Sequence, residues 1–241
     1  MTDTMLIYGG YGSVGFATGQ VLRKRGYGVH LVGRDPGALE NAARELDGAF
    51  TVGDVTDNDL FERVTEEVGE SLAGVVYAVG TLNLRGLSQL GPDDFMRDFQ
   101  INALGAALAV RSALKTFKRR SGTASVVLYS SVAVNQGFPF HSSIGMAKGA
   151  VAGLTVSLAA ELAPKVRGNA VAPSLTRTNL TEKILSNEKT AAGIAGQHPM
   201  QRLGTPEDIA AMTAFLLSPE AEWITGQVIG VDGGRSTLNI G

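Results

Sequence analysis

The sequence predicts an α/β fold: a doubly wound parallel sheet of about seven strands with helices on both faces. Three observations carry that prediction. Short apolar runs alternate with longer amphipathic segments along almost the whole chain. The runs are continuously apolar rather than alternating, as expected of strands covered on both faces. The first run opens directly into a glycine-rich turn and then a helical segment.

The elements follow in order. An apolar run at 5–8 predicts the first strand, and the periodic segment 14–25 the first helix, stopped by Gly26 after Arg23-Lys24-Arg25. Strand 28–32 precedes helix 36–46. Strand 49–52 is followed by helix 57–68, and strand 74–79 by a long helical stretch over 92–118. Strand 124–129, helix 142–163 and strand 167–171 complete the next unit. Thr205-Pro206-Glu207-Asp208 supplies a cap, a proline and first-turn acids for helix 206–217, and the last strand is expected at 227–231. The segment 173–201 has no strand signal and exceeds an ordinary connection, so it is expected to be a substrate loop or lid.

With 241 residues, 44% hydrophobic and 18% charged, the chain can bury the core of one domain spanning 1–241. Thirty-one glycines against eight prolines point to tight turns and close helix–strand contacts. A net charge of -2 gives no basic footprint, which argues against a nucleic-acid partner. The absence of cysteine excludes disulfides, thiolate metal sites and a cysteine nucleophile, and fits a reducing cytoplasm. The first apolar strand begins at Met5, leaving no room for a signal peptide, and no uninterrupted apolar run approaches membrane-spanning length. His30, His141 and His198 are widely spaced, so no metal is expected.

The turn Gly9-Gly10-Tyr11-Gly12-Ser13-Val14-Gly15 follows the first strand. Glycines at 9, 12 and 15 let the backbone turn sharply, approach a pyrophosphate and pack helix on strand; the helix N-terminus then faces the phosphates. This is a Rossmann-type nucleotide signal. The second strand ends Leu31-Val32-Gly33-Arg34. Glycine stands where an acid would bind the ribose 2′-hydroxyl of NAD. Arg34 beside it suits a 2′-phosphate, so NADP is expected ahead of NAD. Asp54, after the third strand, either meets the adenine with Val55 or caps the following helix.

With those motifs in order, the chain resembles the short-chain dehydrogenase/reductase family over essentially its whole length. Gly9 to Gly15 matches the cofactor loop, with Ser13 where glycine is commoner, and Asp54-Val55 matches the acid–apolar pair near adenine. Tyr77-Ala78-Val79-Gly80 occupies the place usually written Asn-Asn-Ala-Gly. Asn102 falls at the helix asparagine, and Ser131 at the active-site serine. Pro173-Ser174-Leu175-Thr176-Arg177-Thr178 resembles the proline-glycine-to-threonine segment beside nicotinamide, with Ser174 replacing glycine. The ending from Arg202 to Gly234 looks like the family's C-terminal signature.

The resemblance implies an oxidoreductase with four active-site residues: asparagine holding a water, serine polarising a carbonyl, tyrosine transferring the proton, and lysine binding the nicotinamide ribose and lowering the tyrosine pKa. Asn102, Ser131 and Lys148 fill three of these places; the fourth is Ile144. The five tyrosines are Tyr8, Tyr11, Tyr27, Tyr77 and Tyr129, so none follows the serine and no local gap restores one. Three readings stay open. Another group supplies the proton, His141 being the candidate because it lies three residues before Ile144. Alternatively, the substrate is an iminium or activated alkene that needs no such acid. Or the chain binds NADP without turnover, as a sensor or silent assembly subunit.

Small apolar stretches in 92–118 and 142–163 (Ala103-Leu104-Gly105-Ala106-Ala107 and Gly149-Ala150-Val151-Ala152-Gly153) permit close helix–helix approach. They resemble the helices that build the family's dimers and tetramers, so a homo-oligomer is expected, with the terminal residues 235–241 reaching a neighbour as one possibility. A small-molecule substrate should be selected by 81–90, 135–140 and the loop after Pro173, with Phe138, Phe140 and Met200 hinting at an apolar one.

Overall fold

The structure is a computed structural model that describes residues 2–239. Seven strands form one parallel sheet in the order β3-β2-β1-β4-β5-β6-β7. They are β1 (Thr4–Tyr8), β2 (Gly28–Gly33), β3 (Ala49–Val52), β4 (Leu72–Tyr77), β5 (Ala124–Tyr129), β6 (Val166–Pro173) and β7 (Val228–Val231). The strand order reverses between β1 and β4, where a doubly wound sheet opens a crevice at the carboxyl ends of its strands. Register aligns those ends: Tyr8 pairs with Val32 on one side and Tyr77 on the other, Tyr77 with Leu128, and Tyr129 with Val171.

The connecting helices are α1 (Ser13–Lys24), α2 (Pro36–Glu45), α3 (Asp59–Val68), α4 (Pro92–Phe99), α5 (Gly105–Arg119), α6 (Ser142–Leu162), α7 (Glu182–Leu185), α8 (Glu188–Ala195) and α9 (Pro206–Leu217). The two faces of the sheet carry separate apolar layers. One gathers Leu6, Tyr8, Val75, Val126 and the α5 residues Ala109, Val110 and Phe117; the other gathers Ile7, Leu31, Val76, Val127, Val171 and the α9 residues Ile209, Leu216 and Leu217. Burial of each large aliphatic side chain contributes roughly 1.5–3 kcal/mol.

The capping expectations hold where they depend on local sequence. Thr205 accepts from the Asp208 backbone N–H while Asp208 accepts from that of Thr205, and Gly26 turns the chain at φ +87°. Strand and helix ends shift by one or two residues in several places, and three larger differences have structural causes. β4 ends at Tyr77 rather than residue 79, because the Ala78 N–H pairs with Tyr8 and the chain then leaves the sheet over the glycine turn. The stretch 92–118 is broken by a π-helical segment, Gln100–Leu104. There the Tyr77 hydroxyl donates to the Ile101 carbonyl at 2.6 Å, and it lies where a Cβ on Gly105 would stand. The expected loop 173–201 carries α7 and α8. His141 is the N-cap of α6, and Ser143 is fully buried.

Among the described residues α6 is the one helix long and apolar enough to cross a membrane by length and composition. Its length comes from small residues interrupted by serines, threonine and Lys148. The stripe Ser143, Ile144, Ala147, Val151, Thr155 and Ala159 is buried, and α6 packs along β6.

Candidate active site

The glycine turn is built by contacts that exclude larger side chains. Gly9 has φ +79°, and a Cβ on it would lie 2.8 Å from the Ala78 carbonyl oxygen. A Cβ on Gly15 would lie 2.2 Å from the Gly9 carbonyl oxygen. The turn is closed by the Gly12 N–H donating to Gly9 at 3.0 Å, and α1 starts at Ser13 with no side-chain cap. Its first N–H groups therefore remain available to an anion. This cradle fits a dinucleotide.

At the end of β2, a Cβ on Gly33 would meet the Tyr11 ring at 2.3 Å. The tyrosine occupies the space an acidic side chain would need. Arg34 is 70% exposed at its side chain, with its guanidinium 3.6 Å from Asp54. Asp54 does not cap α3, whose N-cap is Asn58. Its carboxyl accepts from the Thr56 N–H and hydroxyl, and those bonds with the Arg34 charge hold it below the usual carboxylate range. Val55, next in the chain, is buried.

A cavity of about 390 Å³ continues from this turn along the carboxyl ends of β4, β5 and β6. Its wall includes Val14, Ala78, Gly80, Ser131, His141, Ile144, Lys148, Pro173, Thr176 and Thr178, so most of the residues singled out from sequence meet there. Asn102 stands directly behind. It is 1% exposed; its Nδ2 donates to Thr81 Oγ1 and to the Asp98 carbonyl, both at 2.8 Å. Its Oδ1 has no protein partner, and a Cβ on Gly80 would lie 3.1 Å from that oxygen and 3.4 Å from Lys148 Nζ. A buried acceptor facing an ammonium across a glycine is suited to a bridging water.

Lys148 Nζ donates to the Tyr129 carbonyl at 2.9 Å. Burial pushes its pKa down to about 8, with the Asp98 charge opposing that fall. Ser131 accepts from the Ala133 N–H at 3.1 Å, which fixes its oxygen and leaves its proton for the cavity. Ile144 is 4% exposed and forms an apolar wall where the resemblance requires a tyrosine. His141 Nδ1 pairs with the Pro139 carbonyl at 2.7 Å, and the ring lies 5.4 Å from that of Phe138. Because that nitrogen's proton is committed to a carbonyl, a neutral His141 has no second proton to offer.

Several residues here were not singled out by sequence. Asp98, 2% exposed, accepts from Thr81 Oγ1 and from Ser143 Oγ, each at 2.6 Å. Thr181 donates to the Thr176 carbonyl at 2.6 Å and braces Thr178. Asn179 meets Ser13, tying the loop after β6 to the glycine turn. Of the apolar hints, Phe138 lines the cavity; Phe140 is 61% exposed, and Met200 lines a separate, smaller cavity. The apolar lining comes instead from Leu82, Leu84, Leu175, Leu180, Ile184 and Ile194. Arg235 lies over the Phe138 ring at 5.1 Å within the same chain. The end of the terminal segment expected to reach a neighbour, 240–241, lies outside the described residues. No cluster of His, Asp and Glu placed to hold a metal occurs among the described residues.

A family model described as enoyl-(acyl carrier protein) reductase matches residues 10–236. The chain belongs to the short-chain dehydrogenase/reductase family. A 2-(S)-hydroxypropyl-CoM dehydrogenase of Xanthobacter autotrophicus is 32% identical, covering 98% of this chain and 97% of the relative. A tropinone reductase homologue of Arabidopsis thaliana is 31% identical over 96% of this chain and 91% of its own. Among solved structures, a short-chain dehydrogenase/reductase of Mycobacterium ulcerans superposes with TM-score 0.91 at 32% identity, covering 97% of this chain and 90% of that one. ElxO, solved as a tyrosine-to-phenylalanine variant with NADPH bound, gives TM-score 0.91 at 30% identity over 99% and 100%. The chain is therefore an oxidoreductase of the short-chain type, on a fold that binds a nicotinamide cofactor.

Proposed function

We propose that this oxidoreductase uses NADP(H) to transfer a hydride to or from a small, largely apolar substrate without a tyrosine acid. One observation carries the reading: Ser131, Lys148 and Ile144 line one cavity with Asn102 behind it, so three polar partners share a cavity in which the fourth place is an isoleucine. NADP over NAD is supported by Arg34, exposed beside Asp54, and by Tyr11 filling the acid's place over Gly33. A related chain with NADPH bound supports the same cofactor.

In this reading the glycine turn receives the pyrophosphate, with Gly9, Gly12 and Gly15 keeping the backbone close and Ser13 and Val14 beginning the helix that faces it. Arg34 meets the 2′-phosphate; Asp54 and Val55 flank the adenine; Ala78, Gly80, Pro173, Thr176 and Thr178 wall the nicotinamide end. Bound NADPH supplies the hydride. Lys148 holds the ribose, Asn102 holds a water beside the lysine, and Ser131 donates to a polar atom of the substrate. Ile144 would keep water from the reaction end of the cavity. His141 can act as an acid only as imidazolium. An iminium carbon or activated alkene asks least of such a site, since the positive charge or the solvent covers most of the proton's role. The loop 173–201 acts as the lid over a single domain spanning 1–241.

A homo-oligomer built through α5 and α6 is part of the proposal. Leu104, Met146 and Val156 are exposed, and a Cβ on Gly153 would meet nothing within 4 Å. A reducing cytoplasm is the compartment proposed for a chain with no cysteine.

The test is NADPH oxidation across imines, activated alkenes and ketones, with NADPH binding measured in parallel. Turnover of the first two classes ahead of ketones is expected. Tight NADPH binding with no turnover of any class would instead make the chain a silent binder, which Ile144 favours as the second reading.

A further inference from the structure

Ser174, at the carboxyl end of β6, lines both the main cavity and a second one of about 140 Å³ on the far side of the loop. It stands where the family segment carries glycine, so its hydroxyl is an addition. That hydroxyl lies 2.8 Å from Nε2 of His198, a residue 24 positions away and 1% exposed. The other ring nitrogen, Nδ1, lies 2.9 Å from the Ile194 carbonyl. A carbonyl only accepts, so Nδ1 carries a proton in every state of the ring. In the neutral ring Nε2 is then an acceptor, and the Ser174 hydroxyl donates to it. In the imidazolium form Nε2 donates to Ser174 Oγ, and the serine proton is free to turn into the main cavity. Both states are fully hydrogen-bonded, and they differ by one proton passed through one hydroxyl.

The second cavity supplies the outer end of such a path. It is lined by His198, Asp232, Arg202 and Asp208 as well as Ser174. Arg202 is committed to Asp208, through a two-pronged pair that leaves neither charge free for the histidine. Arg235 Nη1 reaches the Gln197 carbonyl next to the ring. Asp232 is the free anion on this side. Burial raises its pKa, but hydrogen bonds from Ser236 and Gly234 outweigh that and hold it below the usual carboxylate range.

We propose that Ser174 is a catalytic hydroxyl that relays a proton from His198 to the substrate, taking over the task for which Ile144 is unfit. The proposal rests on the hydride-transfer reading above. For an alkene conjugated to a carbonyl, hydride reaching the far alkene carbon passes an electron pair to the carbonyl oxygen; the Ser174 O–H bond breaks and that proton binds this oxygen. The His198 Nε2–H bond breaks in turn and its proton restores the Ser174 hydroxyl, leaving a neutral ring. Solvent entering the second cavity beside Asp232 returns one proton to Nε2. In the oxidation direction the same path runs backwards.

The test joins a ring measurement to kinetics. By 15N NMR of the free protein, His198 is expected in the Nδ1–H form and to convert reversibly to imidazolium on acidification, with its Nε2 signal moving in Ser174→Ala. A ring neutral at every pH where the protein stays folded, or one with its neutral proton on Nε2, overturns the relay. That result stands even if no substrate is found, in which case the functional reading fails separately. With a substrate in hand, Ser174→Ala should lower kcat about 10²-fold with KM and NADPH affinity kept. His198→Gln, which retains a hydrogen bond to Ser174 but carries no transferable proton, should lower kcat and flatten its pH profile. Exogenous imidazole should restore part of the turnover of His198→Gly. Unchanged pH profiles, with only the melting temperature lowered, would make the pair a structural tether and overturn the proposal.

Discussion

At one end of the cleft, position is fixed by backbone; at the other, by individual side chains. Around Gly9 and Gly15 the chain approaches itself so closely that an added Cβ would overlap a carbonyl oxygen at 2.8 or 2.2 Å. Any sequence that keeps those glycines keeps the cradle. Around Ile144 the backbone is ordinary helix, and chemistry depends on which groups project from it. One residue there can remove a proton donor while leaving the fold, the cavity and three polar partners in place. A family resemblance that is strong in the first region therefore says much about cofactor and little about reaction.

The largest effect should come from the backbone end. Gly15→Val should abolish NADPH binding in calorimetry while circular dichroism keeps the fold. Retained affinity would mean that the turn yields more readily than its contacts imply. At the other end, Ile144→Tyr restores the group that α6 lacks. Ketone turnover should rise by roughly 10²–10⁴-fold with NADPH affinity held. No gain would mean that the substrate side has diverged beyond this single residue.

Asp98→Leu sharpens the contrast further. It leaves the Thr81 hydroxyl without an acceptor and Ser143 with only its longer bond to the Asp94 carbonyl at 3.3 Å, a loss of about 1–3 kcal/mol in denaturant unfolding. It also removes the charge that supports Lys148, so the lysine should release its proton at lower pH. An unmoved lysine titration would separate Asp98 from the site.

These effects bear on what a sequence can reveal. The sheet was legible because continuous apolar runs between helical segments have few other solutions, and the glycine turn because its spacing is a backbone requirement. The break between α4 and α5 was not. It is made by the Tyr77 hydroxyl reaching the Ile101 carbonyl, a contact between residues 24 apart. Asp98 lies in an amphipathic helix, where an acid ordinarily marks the solvent face; only folding reveals Thr81 and Ser143 around it. Ser174 was visible as a departure from glycine, but its partner His198 lies across a loop whose path depends on tertiary packing. Residues that meet only through long-range packing leave no periodicity to read.

The smallest effect is one of linkage. Lys148 has a folded pKa of about 8, below the ordinary lysine value of about 10.4. Between those values the unfolded chain binds more protons, so stability should rise with pH across that window and be flat below it. Lys148→Met should lack the rise when melting temperatures are compared from neutral to alkaline pH. An identical rise in both proteins would assign it to other groups.

The central claim, that a complete NADP cradle adjoins a rebuilt reaction end, is tested most directly by calorimetric titration of NADPH and NADH into wild type and Arg34→Ala. The account predicts one NADPH per chain, bound more tightly than NADH, with the preference erased in Arg34→Ala. No binding of either cofactor, or an NADH preference in wild type, would contradict it.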